Sequence, residues 1–281
     1  MKVLIFEYIT ASGESSESLQ REGQMMLDAL LKNFEKLPTF ETFIATKKDF
    51  KNQLKTVDAA WIIAPEFDDI LQNYCQLVEN ENKVLLTSPS KVIAKTANKL
   101  TTFEILSAAT IQTVPTEIFD STKNYNKTRD WIIKPIDGAG AENTFLLQSE
   151  KDWSALPVLE KKFLIQPYID GEKLSLSCIF KKGVAHLLCV NLQVFEINNQ
   201  QFELKRIEVN FKQDNGRYQK IASQIANVLP DLFGYVGIDL IEKEKEIFVL
   251  EINPRLTTSF VYIEKALGLN VAELVLKQLN A

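Results

Sequence analysis

Three oxygen-bearing side chains near the C-terminus have a spacing that a pair of adjacent strands would bring together. The chain reads GYVGIDLI at residues 234–241 and IFVLEINPR at residues 247–255, with polar residues suited to a hairpin turn between them. If Asp239 stands opposite Glu251, strand alternation places these two carboxylates and Asn253 on one face of the ribbon. Directly opposed residues have Cβ atoms about 4.5–5.5 Å apart, so the two carboxylates would repel each other.

In the same register Ile238 pairs with Ile252 and Leu240 with Leu250, which gives the ribbon an apolar opposite face. Two close carboxylates are costly to bury unless a cation removes their repulsion. Asp, Glu and Asn oxygens are ligands that Mg²⁺ accepts, usually together with phosphate oxygens. We therefore predict a metal site on the polar face. The alternative is a solvated hairpin on which the acids fall by chance.

A lysine at the end of an apolar strand is the second candidate. Residues 131–142 read WIIKPIDGAGAE, in which Lys134 ends the apolar run and Gly138 and Gly140 follow it. A buried ammonium needs an anionic partner, and glycines let backbone N–H groups approach a phosphate closely. The segment is not a Walker motif, because no Gly-Lys-Ser/Thr follows the loop. An ordinary turn after a strand is the alternative interpretation.

The third candidate is a strand that runs into a connector containing proline and glycine. Residues 163–172 read FLIQPYIDGE. A connector of this kind can present backbone groups to a flat ring and aim a carboxylate at a ribose. A plain linker between two lobes is the alternative.

The elements that must position these residues follow from hydrophobic periodicity. In the first ninety or so residues short apolar strands alternate with amphipathic helices, which favours a parallel sheet covered on both faces. A boundary is expected at Ser88-Pro89-Ser90. The predicted strands are 2–9, 40–46, 59–64, 83–87, 130–136, 144–148, 163–169, 235–242 and 247–253, with a strand-rich stretch at 173–211. The predicted helices are 16–35, 68–80, 90–108, 216–229, 258–267 and 271–279.

The composition is that of an ordinary globular chain and argues against several classes of protein. With 37 acidic and 32 basic residues the net charge is −5, and no strong basic cluster is present, which argues against a nucleic-acid partner. The longest apolar run, residues 59–64, is too short to cross a bilayer, and the N-terminus lacks the features of a signal peptide. We expect a cytoplasmic protein without a membrane partner. The single histidine, His186, lies in a strand-like apolar run, which favours a packed histidine over a catalytic one.

Taken in chain order, four segments resemble the ATP-grasp family of carboxylate–amine ligases. They are TANKLTTF at 96–103, KPIDGAG at 134–140, QPYIDGE at 166–172, and Asp239 together with EINPR at 251–255. The resemblance covers roughly residues 88–268. It implies an α/β chain in which the lobes of an ATP-grasp fold follow an N-terminal, Rossmann-like parallel-sheet domain.

The resemblance implies ATP and two Mg²⁺ ions as cofactors, with Mn²⁺ as a substitute, and a role for each matching position. Arg255 and Lys134 would be the catalytic side chains. The implied roles are phosphate binding by Lys99 and Lys134, loop closure by Gly138 and Gly140, adenine binding by Gln166, Pro167 and Ile169, ribose binding by Glu172, metal binding by Asp239, Glu251 and Asn253, and stabilisation of the transferred phosphate or acyl group by Arg255.

Three positions depart from the family pattern. Asn98 stands where the family usually has Asp, and Gln166 stands where many members have Glu. Glu172 follows Gly171 directly, whereas some members place the acid one residue later. The ribose assignment is therefore less secure than the metal assignment.

The resemblance also suggests a domain organisation and substrates. Residues 1–88 would form the N-terminal domain and residues 89–281 the ATP-grasp domain, with the glycine-rich loop in a lobe at 89–169 and the metal site in a lobe at 170–281. The N-terminal segments IFEYITASG (5–13) and LQREGQMM (19–26) resemble the branch of the family that serves methanofuran synthesis by joining an amino acid to an amine. The partners would be a small-molecule carboxylate, an amine, and a second copy of the chain in a homodimer.

Three alternatives to this function remain open from the sequence. The chain could be a ligase for other amino-acid substrates, a kinase that stops at the phosphorylated product, or a nucleotide-binding protein of the same fold without catalysis. The complete set of lysines, metal ligands and arginine argues against the non-catalytic protein.

Replacing Glu251 by glutamine tests the metal assignment. We expect Glu251→Gln to lose amide formation while the fold survives, because the change removes one charged oxygen ligand and keeps the size of the side chain. Product formation and far-UV circular dichroism measure the two effects. Turnover at the wild-type rate in this variant would contradict the metal assignment.

Overall fold

The N-terminal part of the chain forms a parallel sheet with helices packed on it. The computed structural model describes residues 1–13, 16–138, 140–159 and 161–279. In these ranges the first sheet has four strands in the order β2-β1-β3-β4, all parallel. Its strands are β1 (Lys2–Glu7), β2 (Glu41–Ile44), β3 (Ala59–Ile63) and β4 (Val84–Leu85). The helices between them are α1 (Tyr8–Ser12), α2 (Glu17–Glu35), α3 (Phe50–Leu54) and α4 (Ile70–Asn80), the last preceded by a 3-10 turn at Phe67–Asp69.

The rest of the described chain builds a second sheet of nine antiparallel strands in the order β13-β12-β9-β10-β11-β7-β6-β8-β5. The strands are β5 (Glu117–Ile118), β6 (Trp131–Pro135), β7 (Phe145–Leu147), β8 (Phe163–Pro167), β9 (Glu172–Lys181), β10 (Val184–Asn198), β11 (Gln201–Lys212), β12 (Gly234–Lys243) and β13 (Glu246–Asn253). The helices are α5 (Ser90–Ala97), α6 (Lys99–Ala108), α7 (Glu150–Ser154), α8 (Arg217–Val228), α9 (Phe260–Leu267) and α10 (Val271–Lys277). None of the helices described here combines the length and apolar character needed to cross a bilayer.

The tip of the β10–β11 hairpin joins the two halves of the second sheet. β11 meets β7 through the pair Gln201 and Phe145. Beside this pair the Leu146 N–H donates to the Gln200 carbonyl at 2.8 Å, and the Phe202 N–H donates to the Thr144 carbonyl at 3.3 Å. The sheet therefore continues across the predicted boundary between the lobes, held there by a short seam of backbone contacts.

The N-terminal sheet and the C-terminal helices share one hydrophobic core. α2 packs against β1 and β3 on one side and against α9 and α10 on the other. Burial of apolar surface thus stabilises the two ends of the chain together, and the domain boundary at residue 88 stays a prediction. Buried members of this cluster from both ends are Val3, Leu30, Trp61, Tyr235, Phe260 and Val275.

Side-chain caps explain two differences from the predicted elements. The strand predicted at 2–9 ends at Glu7, because its carboxylate accepts hydrogen bonds from the N–H groups of Ile9 and Thr10 and so starts α1. The single helix predicted at 90–108 is divided at Asn98, which has an extended backbone and caps the first turn of α6. Positions 14 and 15, between the strand predicted at 2–9 and the helix predicted at 16–35, lie outside the described residues.

Leu30→Ala tests the shared core. Leu30 is fully buried, so removing its side-chain atoms should lower the free energy of unfolding by about 2–5 kcal/mol. The matched control is Ile44→Ala on β2, where half of the side chain is exposed and the expected loss is below about 1 kcal/mol. Urea unfolding followed by circular dichroism measures both losses, and equal losses would contradict the shared core.

Candidate active site

The β12–β13 ribbon brings the predicted metal ligands together. Asp239 pairs with Glu251, as predicted, and Gly237 pairs with Asn253, which puts the three polar side chains on one face. The predicted pairing of Leu240 with Leu250 is wrong, because a bulge in β13 pairs Leu240 with residue 249 instead. The bulge frees Leu250 from the apolar face, and its side chain lines the cavity described below.

Asp239 is half-buried, and neighbouring polar side chains hold its carboxylate in place. The Gln193 Nε2 donates to Asp239 Oδ1 at 3.0 Å, and the Asn253 Nδ2 donates to Asp239 Oδ2 at 2.9 Å. Burial and the neighbouring Glu251 both raise the pKa of Asp239 well above its usual range. A divalent cation next to Asp239 and Glu251 would offset their repulsion and favour the charged form of Asp239.

Two lysines face the same carboxylates from the opposite side of the cleft. Lys99 Nζ lies 3.1 Å from Glu251 Oε2, and Lys134 is 8% exposed at the end of β6. Burial lowers the pKa of Lys134 to about 8, with Lys99 acting in the same direction and Glu251 opposing. For Glu251, burial favours the neutral acid, yet Lys99 and Lys134 outweigh it and hold the pKa below its usual range. The site therefore concentrates both signs of charge away from water.

The end of α6 and the glycine-bearing loop position Lys99. Asn98 Oδ1 accepts hydrogen bonds from the Leu100 and Thr101 N–H groups, so Lys99 is the first residue of the helix. The Lys99 Nζ donates to the Gly138 carbonyl at 2.8 Å. Gly140 has a φ of +66°, in the left-handed region that glycine adopts without strain. Residue 139, between these two glycines, lies outside the described residues.

The end of β8 and the residues that follow it line the cavity. The side chain of Gln166 is 6% exposed, and its Nε2 donates to Thr116 Oγ1 at 2.6 Å. This bond ties the amide to the neighbouring segment, which suits a position whose backbone groups would contact a base. Pro167, Tyr168 and Ile169 follow along the same wall of the cavity.

Glu172 is the one predicted site residue that the structure places elsewhere. It pairs with Glu242 on the face of the sheet that packs against α8, and its carboxylate forms an ion pair with Lys212. Strand alternation turns the next residue, Lys173, into the cavity. The assignment of ribose binding to Glu172 therefore needs correction, because a one-residue step along β9 separates the two faces.

A buried ion pair fixes Arg255. Its Nε and Nη2 lie 2.8 and 2.7 Å from Glu66 Oε2, and its Nη1 donates to the Leu256 carbonyl. Glu66 is 5% exposed, and its second oxygen, Oε1, has no hydrogen-bond partner among the described residues. Glu66 is not among the predicted site residues, although an acid three residues after the buried strand β3 is a signal for a position at the edge of a parallel sheet.

One cavity of about 240 Å³ connects these groups. The N-terminal domain closes one end of it with Glu7, Glu22 and Met26, and Glu22 accepts a hydrogen bond from Thr258 Oγ1 at 2.9 Å. These three residues were not predicted as part of the site, because only the tertiary fold brings them next to it. The predicted residues that line the cavity are Lys99, Lys134, Gly138, Gly140, Gln166, Pro167, Ile169, Asp239, Glu251, Asn253 and Arg255.

The donor set on the ribbon fits a hard divalent cation. Two carboxylates and an amide supply oxygen ligands on one face, while cysteine and histidine are absent from the described cavity lining. No group of three or more His, Cys, Asp or Glu side chains suited to a metal occurs within the described ranges. Additional ligands would therefore come from phosphate oxygens, which is the usual coordination of Mg²⁺ with nucleotides.

Carboxylates, lysines and an arginine around one cavity suit a metal-bound phosphate compound, and comparisons with known proteins identify the class of enzyme. Residues 96–259 match the ATP-grasp domain and residues 25–93 match the pre ATP-grasp 3 domain. The chain belongs to the ATP-grasp family. An ATP-grasp superfamily protein from Archaeoglobus fulgidus has a similar structure, with a TM-score of 0.79 and 25% identity over 99% of this chain and 88% of the other.

Two curated relatives are similar over nearly the whole chain. The tyramine–L-glutamate ligase of Methanocaldococcus jannaschii is 30% identical over 99% of this chain and 89% of the relative. The enzyme of the same name from Methanocaldococcus fervens is 28% identical over 99% and 94%. The D-alanine–D-alanine ligase of Bacillus anthracis shares the fold, with a TM-score of 0.75 and 17% identity over 99% and 97%. The predicted fold and family are confirmed, and the chain is an ATP-dependent ligase that forms amide bonds.

Glu66→Gln tests how Arg255 is held. We expect turnover to fall at least tenfold, because the variant leaves a buried guanidinium without its anion. The affinity for Mg-ATP should change little, since Lys99 and Lys134 remain in place. Steady-state kinetics and titration calorimetry measure the two quantities.

The matched control is Glu79→Gln in α4, a half-buried carboxylate that accepts hydrogen bonds from Ser90 far from Arg255. Its turnover should stay within twofold of the wild type. An equal loss of turnover in both variants would show that Glu66 only supports the fold.

Proposed function

We propose that this ligase joins a carboxylate of L-glutamate to the amine of tyramine through an acylphosphate, a reaction of methanofuran synthesis. The similarity to two tyramine–L-glutamate ligases over 99% of the chain supports these substrates. The observation that carries the chemistry is the meeting of Lys99, Asp239 and Glu251 in one buried cleft beside Arg255.

The proposed nucleotide site follows from the charges and the apolar wall of the cavity. Lys99 and Lys134 hold the phosphates, and the loop with Gly138 and Gly140 covers them. The backbone of residues 166–169 holds the adenine. Two Mg²⁺ ions, or Mn²⁺, would bind Asp239, Glu251 and Asn253, where they neutralise charge that develops on the phosphate oxygens.

In the first step a carboxylate oxygen of glutamate attacks the γ-phosphorus, the bond to the β–γ bridging oxygen breaks, and ADP leaves. Phosphoryl transfer needs positioning and charge stabilisation more than covalent chemistry by the protein. Lys134 and Lys99 stabilise the charge on the phosphates, and Arg255 stabilises the transferred group. In the second step the amine attacks the acyl carbon, and phosphate leaves with the proton of the amine.

The end of the cavity formed by the N-terminal domain suits an amino-acid substrate. Glu7 and Glu22 provide negative charge, while Arg255 provides positive charge. A zwitterionic amino acid has both signs of charge and needs a partner for each. Met26 and Ile9 add apolar surface that can contact an aromatic amine.

The remaining expectations about partners and location are part of the same proposal. ATP, an amino acid and an amine are small metabolites, so we place the protein in the cytoplasm without nucleic-acid or membrane partners. The homodimer stays a prediction.

A substrate-dependence assay tests the proposed function. The purified chain receives Mg-ATP with L-glutamate, with or without tyramine, and ADP release is followed together with the mass of the product. We expect sustained ADP release only with both substrates, and a product mass equal to glutamate plus tyramine minus water.

Parallel reactions with other amino acids and amines measure selectivity. The Glu251→Gln variant is the control for ADP released by a contaminating ATPase. ADP release that is independent of any amine would identify a kinase. Binding of Mg-ATP without ADP release across the panel would identify a protein without catalysis. Faster reaction with another pair would keep the ligase chemistry and replace the substrates.

A further inference from the structure

The nucleotide side of the cleft contains a charged residue for which neither the proposed chemistry nor the family resemblance has a role. Lys173 is half-buried, lines the cavity, and stands next to Glu172, which faces the other way. Its Nζ lies 5.8 Å from the centre of the Tyr168 ring and 3.5 Å from the Gly171 carbonyl. These contacts place the ammonium beside the segment that follows β8.

The register of β9 and β12 gives the position of Lys173 relative to the metal-binding face. Lys173 pairs with Ile241, and Ser175 pairs with Asp239. Lys173 and Ser175 are two residues apart on the same face, so Lys173 lies about 7 Å along the strand from the level of Asp239. That distance corresponds to the step from the phosphates of a nucleotide to its sugar.

The surroundings decide in which direction the nucleoside extends from the phosphates. Toward Lys173 the cavity wall is mainly apolar, with Ile132, Ile169 and Ile241, and it suits a flat base. In the opposite direction lie Arg255 and Glu22, which suit a charged substrate. The sugar therefore lies on the Lys173 side.

Glu172 belongs to a network of ion pairs and hydrogen bonds on the other face of the sheet. Its carboxylate and that of Glu242 share Lys212, and Glu242 also accepts hydrogen bonds from Arg217 Nη1 at 2.9 Å and the Tyr218 hydroxyl at 2.6 Å. Reaching the cavity would require Glu172 to leave this network and cross the sheet. This leaves Lys173 as the charged side chain of β9 on the cavity face near the sugar.

We propose that Lys173 contacts the sugar of the bound nucleotide and donates a hydrogen bond to a ribose hydroxyl oxygen. A carboxylate at this place would accept hydrogen bonds from both ribose hydroxyls, whereas an ammonium has only donors. The half-buried ammonium can be hydrated when a hydroxyl is missing. The protein therefore discriminates weakly between ATP and 2′-deoxy-ATP. This inference rests on the proposed placement of the phosphates at Lys99 and Lys134, and it is independent of the identity of the amino acid and the amine.

Binding of Mg-ATP and Mg-2′-deoxy-ATP, measured by titration calorimetry without the other substrates, tests the proposal. In the wild type we expect the two dissociation constants to differ by less than about tenfold. Lys173→Met should weaken ATP binding about five- to tenfold and bring the two constants together, because it removes the donor. Lys173→Glu should increase the preference for ATP at least tenfold over the wild type, because the carboxylate loses a partner when the hydroxyl is absent.

Lys173→Arg keeps a donor and should retain ATP binding within about threefold, which separates the contact from a general effect on folding. Lys220→Met, an exposed lysine on α8, controls for the loss of one positive charge and should bind as the wild type does. Unchanged ATP binding in Lys173→Met would overturn the proposal. A change of nucleotide preference in Glu172→Gln would overturn it in favour of Glu172. Because binding is measured without glutamate or tyramine, failure of the proposed ligation leaves this test intact.

Discussion

The opposition of Asp239 and Glu251 on neighbouring strands is the constraint on which the rest of the site depends. Two half-buried carboxylates that face each other this closely need compensating positive charge. Lys99 and Lys134 supply part of it, and they do so because α6 begins and β6 ends beside these carboxylates. The remaining negative charge suits metal cations. The charge of the ribbon therefore explains both why two lysines lie beside it and why the nucleotide would bind together with a metal ion.

The N-terminal part of the chain contributes to the proposed active site as well as to the fold. Through Glu66 it fixes the guanidinium of Arg255, and through α2 it supplies the acidic wall of the cavity. The hydrophobic core shared with α9 and α10 fixes the position of α2 and the N-terminal sheet relative to the β12–β13 ribbon. A ligase of this kind must position three substrates, and the third wall comes from a part of the chain distant in sequence.

Sequence reasoning was most reliable where a site depends on local periodicity. The facing positions of Asp239 and Glu251 follow from strand alternation and a short turn, and they occur as predicted. No local sequence pattern indicates the bulge beside Leu240, so the predicted pairing of Leu240 with Leu250 was wrong. The assignment of Glu172 failed because a side chain changes face with each residue of a strand. The position of Glu66 after β3 gave a signal for the sheet edge, but its partner Arg255 was not predictable, since their contact spans 189 positions of sequence.

The short seam between the hairpin tip and β7 has a mechanical consequence. β10 and β11 are joined to each other along most of their length, whereas β11 meets β7 at a single paired position with two flanking backbone bonds. Among the described junctions of the second sheet this one has the fewest paired positions, so it is the place where the sheet separates most easily. A separation there would leave β12 and β13, which carry Asp239 and Glu251, paired with each other.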